Sequence, residues 1–147
     1  MKTYLAIDPG TSGGYAVLKQ NGEIEAHPIP SLTYAELQEA TFGDYTVIIE
    51  DVPKFVGRMI PSSATATLHF GFGYLCGHFE ARLMRVIKVR PQTWQATIGI
   101  GIKGKMPSAQ WKRKLRDEAQ RRHPELKVSL ATADAILLLD HAIQHNL

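Results

Sequence analysis

The chain has 147 residues, 44% of them hydrophobic and 21% charged, and a single cysteine, Cys76. That is the size and balance of one globular domain, and it leaves no internal disulfide, no multi-cysteine zinc site and no apolar run near the ~20 residues that span a bilayer. The net charge of +3 hides a segregation: residues 1–80 hold four Lys/Arg against nine Asp/Glu, and residues 81–128 hold thirteen against three.

The N-terminus reaches a charge at Asp8, too early for a secretory signal core, so the expectation is a cytoplasmic protein. A basic block following an acidic one predicts a surface for a polyanion beside a metal-holding site. The alternative is a solvated helix face with no partner.

Residues 3–8 read as a buried strand ending on Asp8. The turn Pro9-Gly10-Thr11-Ser12-Gly13-Gly14 follows, then a second strand over 15–18. Asn21-Gly22 is a strong two-residue hairpin signal and sends a third strand back through 23–27. Thr33 can cap a short helix to about residue 40, with Glu36 three positions on as a capping box requires. Val47-Ile48-Ile49 is brief and β-branched, a central strand buried on both faces that delivers Glu50. Pro53 ends it, and 54–61 form a loop. A helix runs from Ser62 or Ser63 to about Glu80, with Gly73 and Gly77 on one face, where they permit a dimer contact or simple helix–sheet packing. Then come a strand over 83–89, a short helix over 91–98, a loop over 99–105, a basic helix over 108–122 ended by Pro124, and an apolar helix over 131–145. A hairpin meander followed by strand–helix alternation predicts a single α/β domain with a mixed sheet covered on both faces.

Asp8, Glu50 and Asp134 each sit at an element end among apolar residues, where an unpaired charge is costly to bury. No Lys or Arg lies within three positions of any of them. A converging trio would repel itself unless a divalent cation neutralised it, and hard oxygen ligands suit Mg²⁺ or Mn²⁺. Two such ions can activate water and stabilise an in-line phosphoryl displacement. Taken singly, Asp8 also reads as a turn cap and Asp134 as a complement to its helix N-terminus.

Four motifs in order tie these acids together. The segment Ala6-Ile7-Asp8-Pro9-Gly10-Thr11-Ser12-Gly13-Gly14-Tyr15-Ala16-Val17 is followed by Val47-Ile48-Ile49-Glu50-Asp51-Val52. Gly99-Ile100-Gly101 with Lys105 comes next, then Ala133-Asp134-Ala135-Ile136-Leu137-Leu138. This pattern resembles the RuvC-type Holliday junction resolvases of the ribonuclease H-like superfamily. The resemblance implies a five-stranded sheet, a three-strand antiparallel meander plus parallel strands, flanked by helices. It implies a homodimer that nicks two opposed strands of a four-way DNA junction symmetrically, with neither nucleotide cofactor nor membrane. Asp8, Glu50 and Asp134 would ligate Mg²⁺, Mn²⁺ substituting. Lys105 would act at the scissile phosphate, Lys103 in the same loop would touch the nucleic acid, and Lys112, Arg113 and Arg116 would track its backbone. Lys54, Phe55 and Arg58 match a loop that enters the junction, where Phe55 stacks on a base or makes an ordinary core contact.

The sequence departs from that pattern at two places. Relatives carry an acid or histidine three residues before the last helical aspartate, where this chain has Ala131; Asp51, Asp140 and His141 are poorly placed to replace it. A basic position in the short helix is Trp94 here. Trp111 reads as a helix anchor or a base-stacking ring, Cys76 as a buried thiol, and His69 and His78 as packing residues. The Asp8 turn also resembles the phosphate turn of actin-like and sugar kinase ATPases, but those need two such domains. A non-catalytic junction- or branched-DNA-binding module and a same-fold nuclease for other branched DNA or RNA stay open.

Overall fold

The computed structural model describes residues 2–29, 36, 37, 39, 41–53 and 61–147. Strands β1 (Tyr4–Ile7), β2 (Gly14–Leu18), β3 (Ile24–Pro28), β4 (Thr46–Glu50) and β5 (Val86–Val89) form a five-stranded sheet in the order β3-β2-β1-β4-β5. The meander β1-β2-β3 is antiparallel, whereas β4 pairs parallel to β1 and β5 parallel to β4. Helices α1 (Ser62–Ala81), α2 (Pro91–Gln95), α3 (Ser108–Arg122) and α4 (Ala133–Gln144) complete the described elements. The mixed sheet expected from the sequence is thus the observed one.

Strand alternation divides the core in two. Tyr4, Ala6, Ala16, Ile48 and Val89 pack with α3 and α4 on one face, while Leu5, Ile7, Val17, Val47 and Ile49 pack with Leu75, Cys76 and Phe79 of α1 on the other. β1 and β4 are therefore covered on both faces, as near-continuous apolar strands require. On α3, Trp111, Leu115 and Ala119 recur every fourth residue and make the buried stripe.

Part of the basic block serves the fold. Arg121 and Arg122 donate to the buried Glu118 at 2.7 and 2.8 Å, and these bonds hold its carboxyl well below the usual carboxylate range. Arg122 also reaches the Ile98 carbonyl at 2.7 Å, and His123 Nε2 lies 2.9 Å from Asp140 Oδ1 on α4. The end of α3 is pinned to α4 by groups that composition alone assigns to a polyanion.

Two boundaries differ from expectation. The strand predicted from Leu83 starts at Val86, because α1 runs on to Ala81 and closes in a left-handed turn at Leu83 (φ 59°). The short helix ends at Gln95, and residues 96–98 continue as turns. The helix expected over 33–40 lies largely outside the described residues, although 36, 37 and 39 are helical. Among the described residues no helix is long and apolar enough to cross a membrane.

Candidate active site

Strand register brings two of the three acids together. Ile7 is opposite Ile49 in the parallel β1–β4 pair, so the next residues, Asp8 and Glu50, leave adjacent strands side by side. Their parity matches Tyr4, Ala6 and Ile48, which aims both at the face covered by α4. There Asp134 sits in the first turn of α4.

The turn after β1 has little room. A Cβ on Gly13 would stand 2.1 Å from the Asp8 carbonyl, and one on Gly14 would stand 2.4 Å from the Ala131 carbonyl. Only glycine permits both approaches, the first seating the Asp8 turn and the second bringing the lead-in of α4 against β2. The Asp8 amide closes the turn by donating to the Gly14 carbonyl at 2.9 Å.

Asp8, Glu50 and Asp134 line one pocket of about 270 Å³ together with Lys112 from α3. Burial pushes the Asp8 carboxyl up to about 7, helped by the charge of Asp134 and opposed by Lys112. Burial pushes Glu50 up to about 8, with further increments from Asp8 and Asp134, while the Trp94 indole and Lys112 act the other way. Asp134 is also raised by burial and lowered by Lys112. The pocket is therefore a place where three negative charges are each unfavourable and one ammonium partly offsets all three. Among the described residues, no three His, Cys, Asp or Glu side chains converge closely enough to enclose a metal ion. The acids stand on the pocket wall and act on one another through their field. An all-oxygen donor set with excess negative charge fits a hard divalent cation.

The other anticipated residues fall in several places. Lys112, expected along a DNA backbone, lines the pocket with the acids, whereas Lys105 is exposed and is not part of the pocket lining. Lys103 is exposed and donates to Ser108 Oγ at 2.8 Å, Arg113 is exposed, and Arg116 pairs with Asp117 at 2.6 Å. Lys54, Phe55 and Arg58 lie outside the described residues. Asp51 also contributes to the pocket wall, but its amide continues the ladder to the Val89 carbonyl at 2.8 Å and its charge acts on Cys76 on the opposite face of the sheet, as strand alternation predicts. Asp140 is taken up by Arg122 and His123. Trp111 is buried in the core, Cys76 is a buried thiol pushed up by that burial, and His141 is buried on α4.

Trp94 stands out in the sequence only as the loss of a basic position, not as a partner of Glu50. Its ring is fully buried, and its indole Nε1–H donates to Glu50 Oε2 at 2.8 Å. Forty-four residues separate the two, so no local spacing announces the contact.

Comparison with protein-family models and with curated protein sequences finds no match. Solved structures do match. Thermus thermophilus RuvC in complex with a Holliday junction substrate aligns at a TM-score of 0.60 with 10% identity, covering 99% of this chain and 96% of that one. A second Thermus thermophilus RuvC structure aligns at 0.57, again with 10% identity, covering 98% and 96%. The fold is RuvC-like and ribonuclease H-like.

Proposed function

We propose that this chain, with the fold of RuvC, is a divalent-metal-dependent endonuclease that nicks branched DNA, four-way junctions foremost. The observation that carries the reading is the shared pocket: carboxylates from β1, β4 and α4, each raised by burial, with Lys112 as their counter-charge. Such a site is unfavourable for the protein alone and suited to a cation.

In this reading Asp8, Glu50 and Asp134 hold Mg²⁺ or Mn²⁺. When bound, the metal supplies Lewis-acid stabilisation of phosphodiester oxygens and a water acidic enough to attack at neutral pH. The chain's own groups do the rest. Lys112 draws a phosphate to the pocket mouth and offsets the carboxylates as it arrives. Lys103, Lys105, Arg113 and Arg116 contact the flanking backbone, and Lys54, Phe55 and Arg58, which follow β4 in the sequence, enter the branch. Hydrolysis of the kind the family resemblance implies would leave a 5′-phosphate and a 3′-hydroxyl. Two opposed nicks need two such sites, and a homodimer supplies them.

Ala131 favours a second reading, a junction-binding module that keeps the fold without cleaving. The absence of a close three-acid group among the described residues supports it too. An end-labelled synthetic four-way junction, beside linear duplex and flap, separates the two. It is incubated with Mg²⁺, Mn²⁺ or chelator, using wild type and Asp8→Asn. Paired symmetric nicks in the junction, absent in chelator and in the variant, are expected. Junction binding without nicks under either metal would replace the nuclease with the binding module, and preferential cleavage of the flap would move the substrate.

A further inference from the structure

Glu50 is tied to α4 through side chains outside the pocket. Trp94 donates to Glu50 Oε2 at 2.8 Å, and Thr97 Oγ1 donates to the Trp94 carbonyl at 2.7 Å. The same hydroxyl lies 3.1 Å from Nδ1 of His141, two turns beyond Asp134 on α4. A hydroxyl has one hydrogen, and here it goes to the carbonyl. His141 then carries its proton on Nδ1 and donates to Thr97. The chain of contacts runs from the strand that bears Glu50 to the helix that bears Asp134.

Trp94 cannot act here as the basic residue of the family pattern would, because an indole N–H donates a single hydrogen bond and carries no charge. It is also fixed. The ring is fully buried in the core with Trp111, Leu115 and Ile136, so it cannot follow a carboxylate that rotates. Turning Glu50 to offer both oxygens to the pocket would leave a buried N–H without a partner, which folded proteins avoid.

We propose that Trp94 is a positioning residue, its indole reserving Glu50 Oε2 so that this carboxylate meets the pocket through Oε1 alone. The inference rests on the metal-nuclease reading, and it places the orientation of the second acid in α2 rather than in the pocket. Carboxylates that bind metal are commonly oriented by such outer hydrogen bonds, whose loss costs roughly ten- to a hundredfold in metal affinity or activity.

The test uses Mn²⁺ as probe. The chain has two tryptophans, so Trp111→Phe leaves Trp94 as the only indole reporter. Saturable quenching of its emission by Mn²⁺, lost in Glu50→Gln, is expected. In an otherwise wild-type chain, Trp94→Phe keeps a ring in the core and removes the N–H. Its Mn²⁺ affinity by calorimetry should fall about tenfold or more, and kcat on the junction should fall more than KM changes. Trp94→His packs worse but restores a ring N–H, and it should bind Mn²⁺ more tightly than Trp94→Phe despite melting lower, which simple core packing does not predict. Unchanged Mn²⁺ affinity in Trp94→Phe, or the opposite order for the two variants, would overturn the positioning role alone. A wild type that binds no Mn²⁺ would overturn that role and the metal-nuclease reading together.

Discussion

At the scale of single residues, the pocket works against the fold that contains it. Asp8 at about 7 and Glu50 at about 8 both stand above their ordinary carboxylate values. Between about pH 4 and these values the folded protein binds more protons than the unfolded chain, so stability falls as pH rises through that window. Well above pH 8 both groups are ionised and the full penalty is present; by pH 8.5 most of it is. Asp8→Asn and Glu50→Gln should therefore stabilise the protein in chelator at pH 8.5, each by on the order of 1–3 kcal/mol, and do little at pH 4. Urea titrations at the two pH values check this; equal effects at both would place the cost elsewhere than in charge. Adding Mn²⁺ should reverse the order, stabilising wild type and leaving Asp8→Asn nearly unmoved. The three acids themselves were legible in the sequence, because each follows or opens an apolar run. Lys112 and Trp94 were not. Lys112 is one of several cations on a basic helix, and only helix α3's rotation against α4 selects it. Trp94 meets Glu50 across strand and helix, a contact that no spacing encodes.

At the scale of elements, β-strand runs, the hairpin turn and the basic helix were readable because each rests on local chemistry. The end of α1 was read to within a residue, but the turn that closes it and delays β5 to Val86 was not, because the residue there breaks the usual rule. Met84 N–H donates to the Phe79 carbonyl at 3.1 Å and Leu83 N–H to Glu80 at 2.9 Å, the Schellman closure of a helix. That closure normally uses glycine at the left-handed position, and here it is Leu83 at φ 59°, 95% exposed. The leucine strains the backbone and buries almost nothing in return. Leu83→Gly should then raise stability by about 0.5–1 kcal/mol, since the left-handed cost of an L-residue exceeds the chain entropy that glycine adds. A thermal melt resolves a shift of that size. A lower midpoint would mean that the exposed leucine packs against something beyond the described residues.

At the scale of the whole molecule, the described residues present one carboxylate pocket, and the proposed paired nicking would need two held in fixed relation. For the proposed homodimer, α1 offers a surface to the second copy. Of its 20 residues only Leu75, Cys76 and Phe79 are buried, while Phe70 is 72% exposed and its ring lies 6.4 Å from that of Tyr74. Among the described residues, nothing lies within 4 Å of a Cβ built on Gly73 or Gly77. Those glycines cost helix propensity without relieving any contact among the described residues, and in the proposed homodimer they would allow close approach by the second copy. Gly73→Leu separates the two explanations. Among the described residues of one protomer the new side chain meets open space, and it should leave the fold intact or stabilise it by about 0.5–1 kcal/mol. Across a dimer it would hold the helices apart. Sedimentation should therefore show a dimer for wild type and a monomer for Gly73→Leu, whose junction products shift from paired to single nicks while its melting point holds or rises. A variant that stays dimeric and still nicks in pairs would move the interface off α1. A wild type that is monomeric at micromolar concentration and nonetheless cuts in pairs would remove the need for a dimer altogether.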